Sequence, residues 1–505
     1  MQKPMFRKIL VANRGEIAIR VFRTCAEQGI RTVAVYSDAD RDALHVAAAD
    51  EAVRLGGATA SESYLNIERI LAAAKETGAE AIHPGYGFLS ERAVFVEACA
   101  AAGIVFIGPP AEAMNVMGDK VRAREAMSAA GVPVVPGVND LGSAADALAA
   151  AREIGFPVML KASAGGGGKG MRIVHAEKDL ARAFDAASRE AIKAFGDGRL
   201  LMERAVMRAR HVEIQLMADN HGNVVFLNER DCSVQRRHQK VIEEAPSPSP
   251  QMGPEVRAAM GAVAVRAAKA VNYSGAGTVE FLFEETDAGP RFYFLEMNTR
   301  LQVEHPVTEA TCARDLVLDQ IRVAAGEPLG FDQADVGLHG HAIECRLYAE
   351  DPIRFLPSPG PVHFARWPVG GNIRVDTAVA SGSVVSSHYD PMIAKLTVWG
   401  PDRPTAIKRM REALRETVLL GIATNIPFHL RVLDEPDFQE GHFSTRYIDE
   451  HPDLLQAELL GEDASQAIAA AAAFQAAQAV GGAAPSDGPA SVCPSPWRQA
   501  VRWRR

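Results

Sequence analysis

The chain has 505 residues, 48% of them hydrophobic, and a net charge of −9. That length supports several domains with large cores, and the acidic balance argues against a general nucleic-acid binder. No apolar run reaches the roughly 18 residues of a membrane span. The N-terminus lacks an unbroken apolar stretch and is not a signal peptide. The six cysteines are scattered, without paired or metal-type spacing, which points to reduced thiols in a cytosol-like compartment.

Residues 6–36 read as strand, helix, strand, with Gly29 as the helix stop. This is the opening of a doubly wound parallel sheet. The first turn, Asn13-Arg14-Gly15-Glu16, lacks the glycine fingerprint of a dinucleotide site. A further strand ends in His83-Pro84-Gly85-Tyr86-Gly87-Phe88-Leu89-Ser90-Glu91. A loop at the carboxyl end of a parallel strand is where such sheets bind ligands, and Ser90 is placed to cap the next helix. Met117-Gly118-Asp119-Lys120 opens another helix, with Asp119 as N-cap.

Residues 156–163 and 171–174 read as strands around Gly165-Gly166-Gly167-Gly168-Lys169-Gly170. The context fits neither a Rossmann turn nor a Walker loop. A glycine loop between antiparallel strands can close over phosphates with its backbone N–H groups. Lys161, at the end of the entering strand, is placed to pair with a phosphate. Residues 211–217 alternate, so His211, Glu213 and Gln215 share a face. After a strand at 224–228 comes Glu229-Arg230-Asp231-Cys232-Ser233-Val234-Gln235-Arg236-Arg237-His238-Gln239-Lys240, dense in polar and basic groups. Between apolar strands it reads as the floor of an anionic site, with Lys240 as the substrate contact.

Residues 277–298 read as a hairpin turning at 286–290. Folding about Ala288 sets Glu280 opposite Glu296 and Leu282 opposite Phe294. Glu296, Asn298 and Arg300 then project on the face of Glu280. Facing carboxylates destabilise a sheet and call for a cation; carboxylate and amide oxygens suit Mg²⁺ shared with phosphates. Arg300, Gln302 and Glu304 again share parity: Arg300 offers a fork for a carboxylate-like anion, and Glu304 a general base. A helix is expected over 308–325, then a strand over 340–347 with Glu344 and Arg346 on one face. Another helix is expected near 403–419, with the compact part ending near 448. Residues 467–480 are Ala-rich and a flexible linker follows at 481–489.

With these motifs in this order, residues 5–450 resemble biotin carboxylase of the ATP-grasp superfamily. The resemblance implies an α/β and α+β protein: an ATP-grasp fold with a Rossmann-like N-terminal domain (1–116), a linker helix (117–134), a small mobile lid (135–206), a central ATP-grasp domain (207–330) and a C-terminal biotin carboxylase domain (331–450), then a tail (451–505). It implies ATP-dependent carboxylation of N1′ of biotin through carboxyphosphate. ATP would be held by Lys120, Lys161, Gly167, Gly168, Glu203, Arg204, Val206, His211, Gln235, His238 and Leu282. Glu280, Glu296 and Asn298 would hold Mg²⁺ or Mn²⁺. Bicarbonate would lie on Lys240, Arg300, Gln302 and Val303, with Glu304 as base. Tyr86 and Arg346 would meet biotin, Arg346 stabilising its ureido oxyanion.

No Met-Lys-Met biotinylation motif occurs, so biotin is expected on a separate carrier, or the chain is a truncated form. The Ala-rich linker and Ser495-Pro496-Trp497 resemble the lead into the extra domain of acyl-CoA carboxylase α subunits. Ala164 stands where relatives often carry a fifth glycine. Expected partners are the biotinylated carrier, a carboxyltransferase subunit and a second copy or larger carboxylase complex. No nucleic acid or membrane is expected, and the location is cytoplasmic. The rival readings are another ATP-grasp ligase, such as a carbamoyl-phosphate synthetase-like enzyme, and a non-catalytic nucleotide-binding scaffold.

Overall fold

The computed structural model describes residues 5–163 and 171–456. The glycine loop, with Gly167 and Gly168, and the tail from 457 lie outside the described residues.

Ile9, Leu10 and Val11 are fully buried. That is why the strand Lys8–Val11 reads as an unbroken apolar run and not an alternating one. It is the middle of a five-stranded parallel sheet, between Arg31–Ser37 and Ala81–His83, with Glu51–Gly56 and Val105–Phe106 at the edges. Helix Gly15–Glu27 crosses between the first two strands, and Gly29, at φ +70°, stops it.

Two loops at the carboxyl ends of these strands are stitched together. Asn13 Nδ2 donates to the carbonyls of Pro84 and Tyr86, both at 2.8 Å. Gly85 sits at φ +63°, and a Cβ there would stand 2.8 Å from Asn13 Nδ2, so only glycine fits. Ser90 does not cap the following helix, Ala93–Ala101, which starts without a side-chain cap. Glu91 is the loop's anchor instead: its carboxylate accepts from Thr299 N at 3.3 Å and lies 3.2 Å from Arg300 Nε.

A second sheet has eight strands, all antiparallel. In order they are Arg291–Asn298, Gly275–Glu284, Arg210–Ala218, Val224–Arg236, Gln239–Ala245, His341–Tyr348, Met392–Gly400 and Ile373–Thr377. The polar run after residue 228 is thus strand, turning at Arg237 and His238, both at positive φ. Strands from before and after residue 330 are bonded neighbours in this one sheet. A four-stranded antiparallel sheet, Gly137–Leu141, Leu200–Arg204, Val158–Ala162 and Arg172–Val174, makes a separate small layer with its own core around Leu160, Phe184 and Met202.

Two expectations shift. The hairpin pairs Glu280 with Glu296, but Phe281 lies opposite Phe294 and Leu282 opposite Tyr293. A β-bulge at Leu295 takes up one residue, which lets Phe281 and Phe294 both bury while the two glutamates stay paired. The helix expected over 308–325 is two, His305–Cys312 and Leu316–Ala324, broken at Ala313 (φ +53°). The break is capped by acids: Glu309 accepts from Leu316 N at 2.7 Å and Asp315 from Leu318 N at 3.0 Å. The same two carboxylates hold Arg20, at 2.7 and 2.8 Å.

His83 ties the parallel sheet to the second of these helices. Its Nδ1 accepts from Gly85 N at 3.0 Å and its Nε2 lies 3.3 Å from Gln320 Oε1, so a neutral ring protonated on Nε2 satisfies both. Burial lowers its pKa from 6.5 to about 4. As pH falls, the unfolded chain takes up this proton first, so stability is lost between about 6.5 and 4, by up to about 3 kcal/mol. His83→Gln should flatten that limb of the Tm–pH curve; a limb of unchanged slope would show that His83 contributes nothing to it.

Candidate functional site

The site is built on one rung of the large sheet. Glu296 faces Glu280, Glu280 faces Glu213, and Glu213 faces Arg230 on the next strand. Three carboxylates side by side repel, and the cations around them are arranged accordingly. Arg230 is fully buried. Its guanidinium makes five hydrogen bonds: to Glu213 Oε1 (2.6 Å), Gln215 Oε1 (2.6 Å), Thr308 Oγ1 (3.0 Å), Thr278 Oγ1 (3.1 Å) and Gln302 Oε1 (2.6 Å). Those match the five N–H donors of an arginine.

Lys240 reaches the rung from the strand beyond. Its Nζ donates to Glu213 Oε2 at 2.6 Å, Glu280 Oε1 at 2.8 Å and Glu304 Oε1 at 2.7 Å. Burial disfavours the ammonium, but the three carboxylates outweigh it and raise its pKa well above the usual value. Arg346 joins from the neighbouring strand, donating to Glu304 Oε2 at 2.9 Å and Glu243 Oε1 at 2.5 Å. Burial would raise Glu304, yet Lys240, Arg346 and Arg230 hold it below its ordinary value, so it is ionised at neutral pH. Glu243 goes the other way: burial pushes it up to about 7 against Arg346.

Glu280 Oε1 also accepts from Asn298 Nδ2 at 2.8 Å and Gln302 Nε2 at 3.0 Å. His211 Nε2 lies 3.2 Å from Glu280 Oε2. Burial disfavours the imidazolium, but Glu280 outweighs it and the ring is raised to about 9. Arg300 donates to Asn298 Oδ1 at 2.8 Å. Glu296, exposed at the end of the rung, is pushed up chiefly by the Glu280 charge. That uncompensated charge, among carboxylate and amide oxygens, fits Mg²⁺. His211, Glu213 and Glu280 also stand within ligand distance of one another, but Arg230 and Lys240 already occupy Glu213.

The small layer meets the Glu296 end. Lys161 pairs with Glu203, which Arg124 also holds at 2.9 Å. Lys120 has its pKa lowered by burial and by Lys161, against the pull of Glu296 and Glu203, which places these groups together. Arg204 is bidentate to Glu284 (3.2 and 2.9 Å) and bonds Tyr293 Oη at 3.2 Å, fastening the small layer to the hairpin. Val206 follows, half-buried. Leu282, half-buried, lies between its strand partners His211 and Tyr293. Gln235 is buried and donates to the Cys232 carbonyl at 2.7 Å. His238 stands exposed on its turn, with no hydrogen bond to the cluster among the described residues.

On the opposite side, the Val303 carbonyl accepts from Lys395 Nζ at 2.8 Å. Tyr86 is near: its ring centroid is 5.9 Å from that Nζ, and its hydroxyl finds no hydrogen-bond partner among the described residues. Sequence reasoning missed Arg230, Glu243, Glu91 and Lys395. Arg230 and Glu91 lay inside singled-out motifs, but only strand pairing shows what they face. Glu243 and Lys395 sit in apolar runs where nothing local marks them.

A carboxylate rung held by lysine, with a small antiparallel layer bringing Lys161 beside Lys120 at its open end, is the arrangement of an ATP-grasp protein. Three family models match in succession: Biotin carboxylase, N-terminal domain, over residues 5–114; Carbamoyl-phosphate synthase L chain, ATP binding domain, over 119–331; and Biotin carboxylase C-terminal domain over 344–450. Biotin carboxylase 2 of Bacillus subtilis (strain 168) is 53% identical over 448 residues, 88% of this chain and 100% of the relative. The mitochondrial methylcrotonoyl-CoA carboxylase subunit alpha of Rattus norvegicus is 52% identical over 452 residues, 89% of this chain and 62% of the relative. Among solved structures, the biotin carboxylase domain dimer of Hydrogenobacter thermophilus 2-oxoglutarate carboxylase, in complex with MgADP, ADP and bicarbonate, superposes with a TM-score of 0.85 at 48% identity, covering 90% of this chain and 100% of that one. The chain belongs to the biotin carboxylase family.

Removing Arg230 would leave Glu213 buried with half its charge pairing gone. Arg230→Met should therefore destabilise the protein by about 3–5 kcal/mol, read in a urea melt. Arg300→Gln, whose partner Glu91 is half exposed, should stay within about 1 kcal/mol of wild type. Equal losses would mean that the rung is not the stability-determining part of the site.

Proposed function

We propose that the protein carboxylates N1′ of biotin on a separate carrier, using ATP, Mg²⁺ (or Mn²⁺) and bicarbonate. It thereby performs the first half-reaction of a biotin-dependent carboxylase. The observation that carries this reading is Glu304, an ionised carboxylate held between Lys240 and Arg346 and adjoining Arg300, Gln302 and Val303. Family matches on both flanks of the ATP-binding segment favour this over another ATP-grasp ligase, and the intact acid–cation cluster favours it over a scaffold.

In this reading Lys120, Lys161 and Glu203, with Arg204, Val206, His211, Gln235, His238 and Leu282, hold the nucleotide, and Gly167 and Gly168 close over its phosphates. The segment 135–206 is the lid that keeps water off. Glu280, Glu296 and Asn298 would hold the metal, whose positive charge would offset that of the phosphates. Arg300 presents its fork to bicarbonate, with Gln302, Lys240 and the Val303 backbone. Glu304 takes the bicarbonate proton. The freed oxygen bonds to the γ-phosphorus, the bond to the β-phosphate oxygen breaks, and ADP leaves. Lys240 steadies the resulting carboxyphosphate, which splits into CO₂ and phosphate; the phosphate takes the N1′ proton. Arg346 is placed to stabilise the ureido oxyanion, beside Tyr86.

The partners in this reading are a biotinylated carrier, a carboxyltransferase that chooses the final acceptor, and a second copy of the chain or a larger carboxylase complex. The five described cysteines are unpaired and buried, which supports a cytoplasmic setting.

Wild-type protein should hydrolyse ATP only with Mg²⁺ and bicarbonate, faster with free biotin, and not at all after chelation by EDTA. Arg346→Ala should lose the biotin stimulation by roughly a hundredfold or more while retaining bicarbonate-dependent hydrolysis. Glu304→Gln should lose both. Hydrolysis indifferent to bicarbonate would sink the reading.

A further inference from the structure

The groups assigned to the reaction leave one buried cation at the site unused. Lys395 has no exposed surface and lies directly across from Arg346 on the next strand. Two cations facing each other on a sheet repel, and burying them adds to the penalty, so the arrangement asks for a reason. Arg346 grips the Glu304 carboxylate at 2.9 Å. Lys395 grips the carbonyl of the residue before it, Val303, at 2.8 Å. The paired cations thus hold two consecutive residues, one by its side chain and one by its backbone. Val303 lies outside any strand or helix, in the turn ahead of His305–Cys312.

Nearby acids pair with Lys395 but do not take its shortest contact. Glu16 is 3.5 Å away and Asp376 3.8 Å, both longer than the Val303 contact. Asp376 already has Arg374 and Arg23, each at 2.7 Å. Both carboxylate oxygens of Glu16 are buried, with no closer hydrogen-bond partner among the described residues than this ion pair. Of the three donors of the ammonium, the shortest contact thus goes to a peptide carbonyl, with the two carboxylates at ion-pair distance behind it.

We infer that Lys395 is a positioning residue for Glu304: it pins the peptide between Val303 and Glu304, so that the base and the Val303 backbone keep their places around bicarbonate. The inference rests on the reading of Glu304 as base and of Val303 as part of the bicarbonate site. Its effect should fall on the bicarbonate step and spare the nucleotide, which is held at the other end of the rung.

Lys395→Met keeps the stem and removes the donor. It also strips Glu16 of its nearest cation, so the test pairs it with Glu16→Gln; Asp376 keeps its two arginines. The paired variant should melt cooperatively and show kcat/KM for bicarbonate reduced roughly ten- to hundredfold, with KM for ATP within about twofold of wild type. Glu16→Gln alone should behave as wild type, and Lys395→Arg should recover part of the loss. Wild-type bicarbonate kinetics in the paired variant overturn the inference. So does an equal loss in the bicarbonate and ATP parameters, or failure to fold, since either makes Lys395 merely structural. Absence of bicarbonate-dependent hydrolysis in the unaltered protein instead overturns the functional reading, and this inference with it.

Discussion

Everything at this site answers to one constraint: Glu213, Glu280 and Glu296 stand side by side across three strands. Buried carboxylates are tolerated only when paired and hydrogen-bonded. Arg230 supplies the pairing from the adjacent strand and Lys240 from the strand beyond it. Neither reaches the outer end. The charge is therefore matched at Glu213 and Glu280 and left in excess at Glu296, where the hairpin opens to the cleft. In the proposed function a cation and a phosphate chain would complete that end. The gradient from paired to unpaired charge along one rung is what gives the site a direction.

The same logic orders the far side. Glu304 is held by Lys240 and Arg346, so the carboxylate proposed as the base is kept ionised by those two cations. Glu243, carrying the other half of Arg346, is raised to about 7 because burial dominates there. Two glutamates sharing one arginine thus have their pKa values driven apart by their surroundings, a pattern that separates roles in acid–base sites.

The N-terminal part reaches the site by two routes, one through its loops and one through helix Gly15–Glu27. Asn13 binds two carbonyls of the 83–91 loop, and Glu91 in that loop reaches Thr299 and Arg300. A chain of buried ion pairs makes the second connection, from Arg20 through Glu309, Arg374 and Asp376 to Lys395 beneath Val303. Both routes end on residues 299–304. This turn is consequently braced from the parallel sheet and from the large sheet at once, as preorganised chemistry requires.

Much of this was legible in the residues themselves. Period-2 alternation placed His211 with Glu213, and Glu280 opposite Glu296, because strand geometry leaves few alternatives. The motif order identified the family and drew attention to Lys240, Arg300, Glu304 and Arg346, which the structure brings together. Local sequence could not show the bulge at Leu295, which exists because Phe281 and Phe294 both bury. Nor could it show the helix break at Ala313, where Glu309 and Asp315 cap a restart while holding Arg20. It gave no sign that Arg230 would spend all five donors, or that Lys395 would lie across from Arg346. A sequence determines which faces its strands can present, since that follows from the backbone period alone. Which strand lies next to which is settled by burying the cores of whole layers together, so the partners of a buried charge were decided only by the tertiary structure.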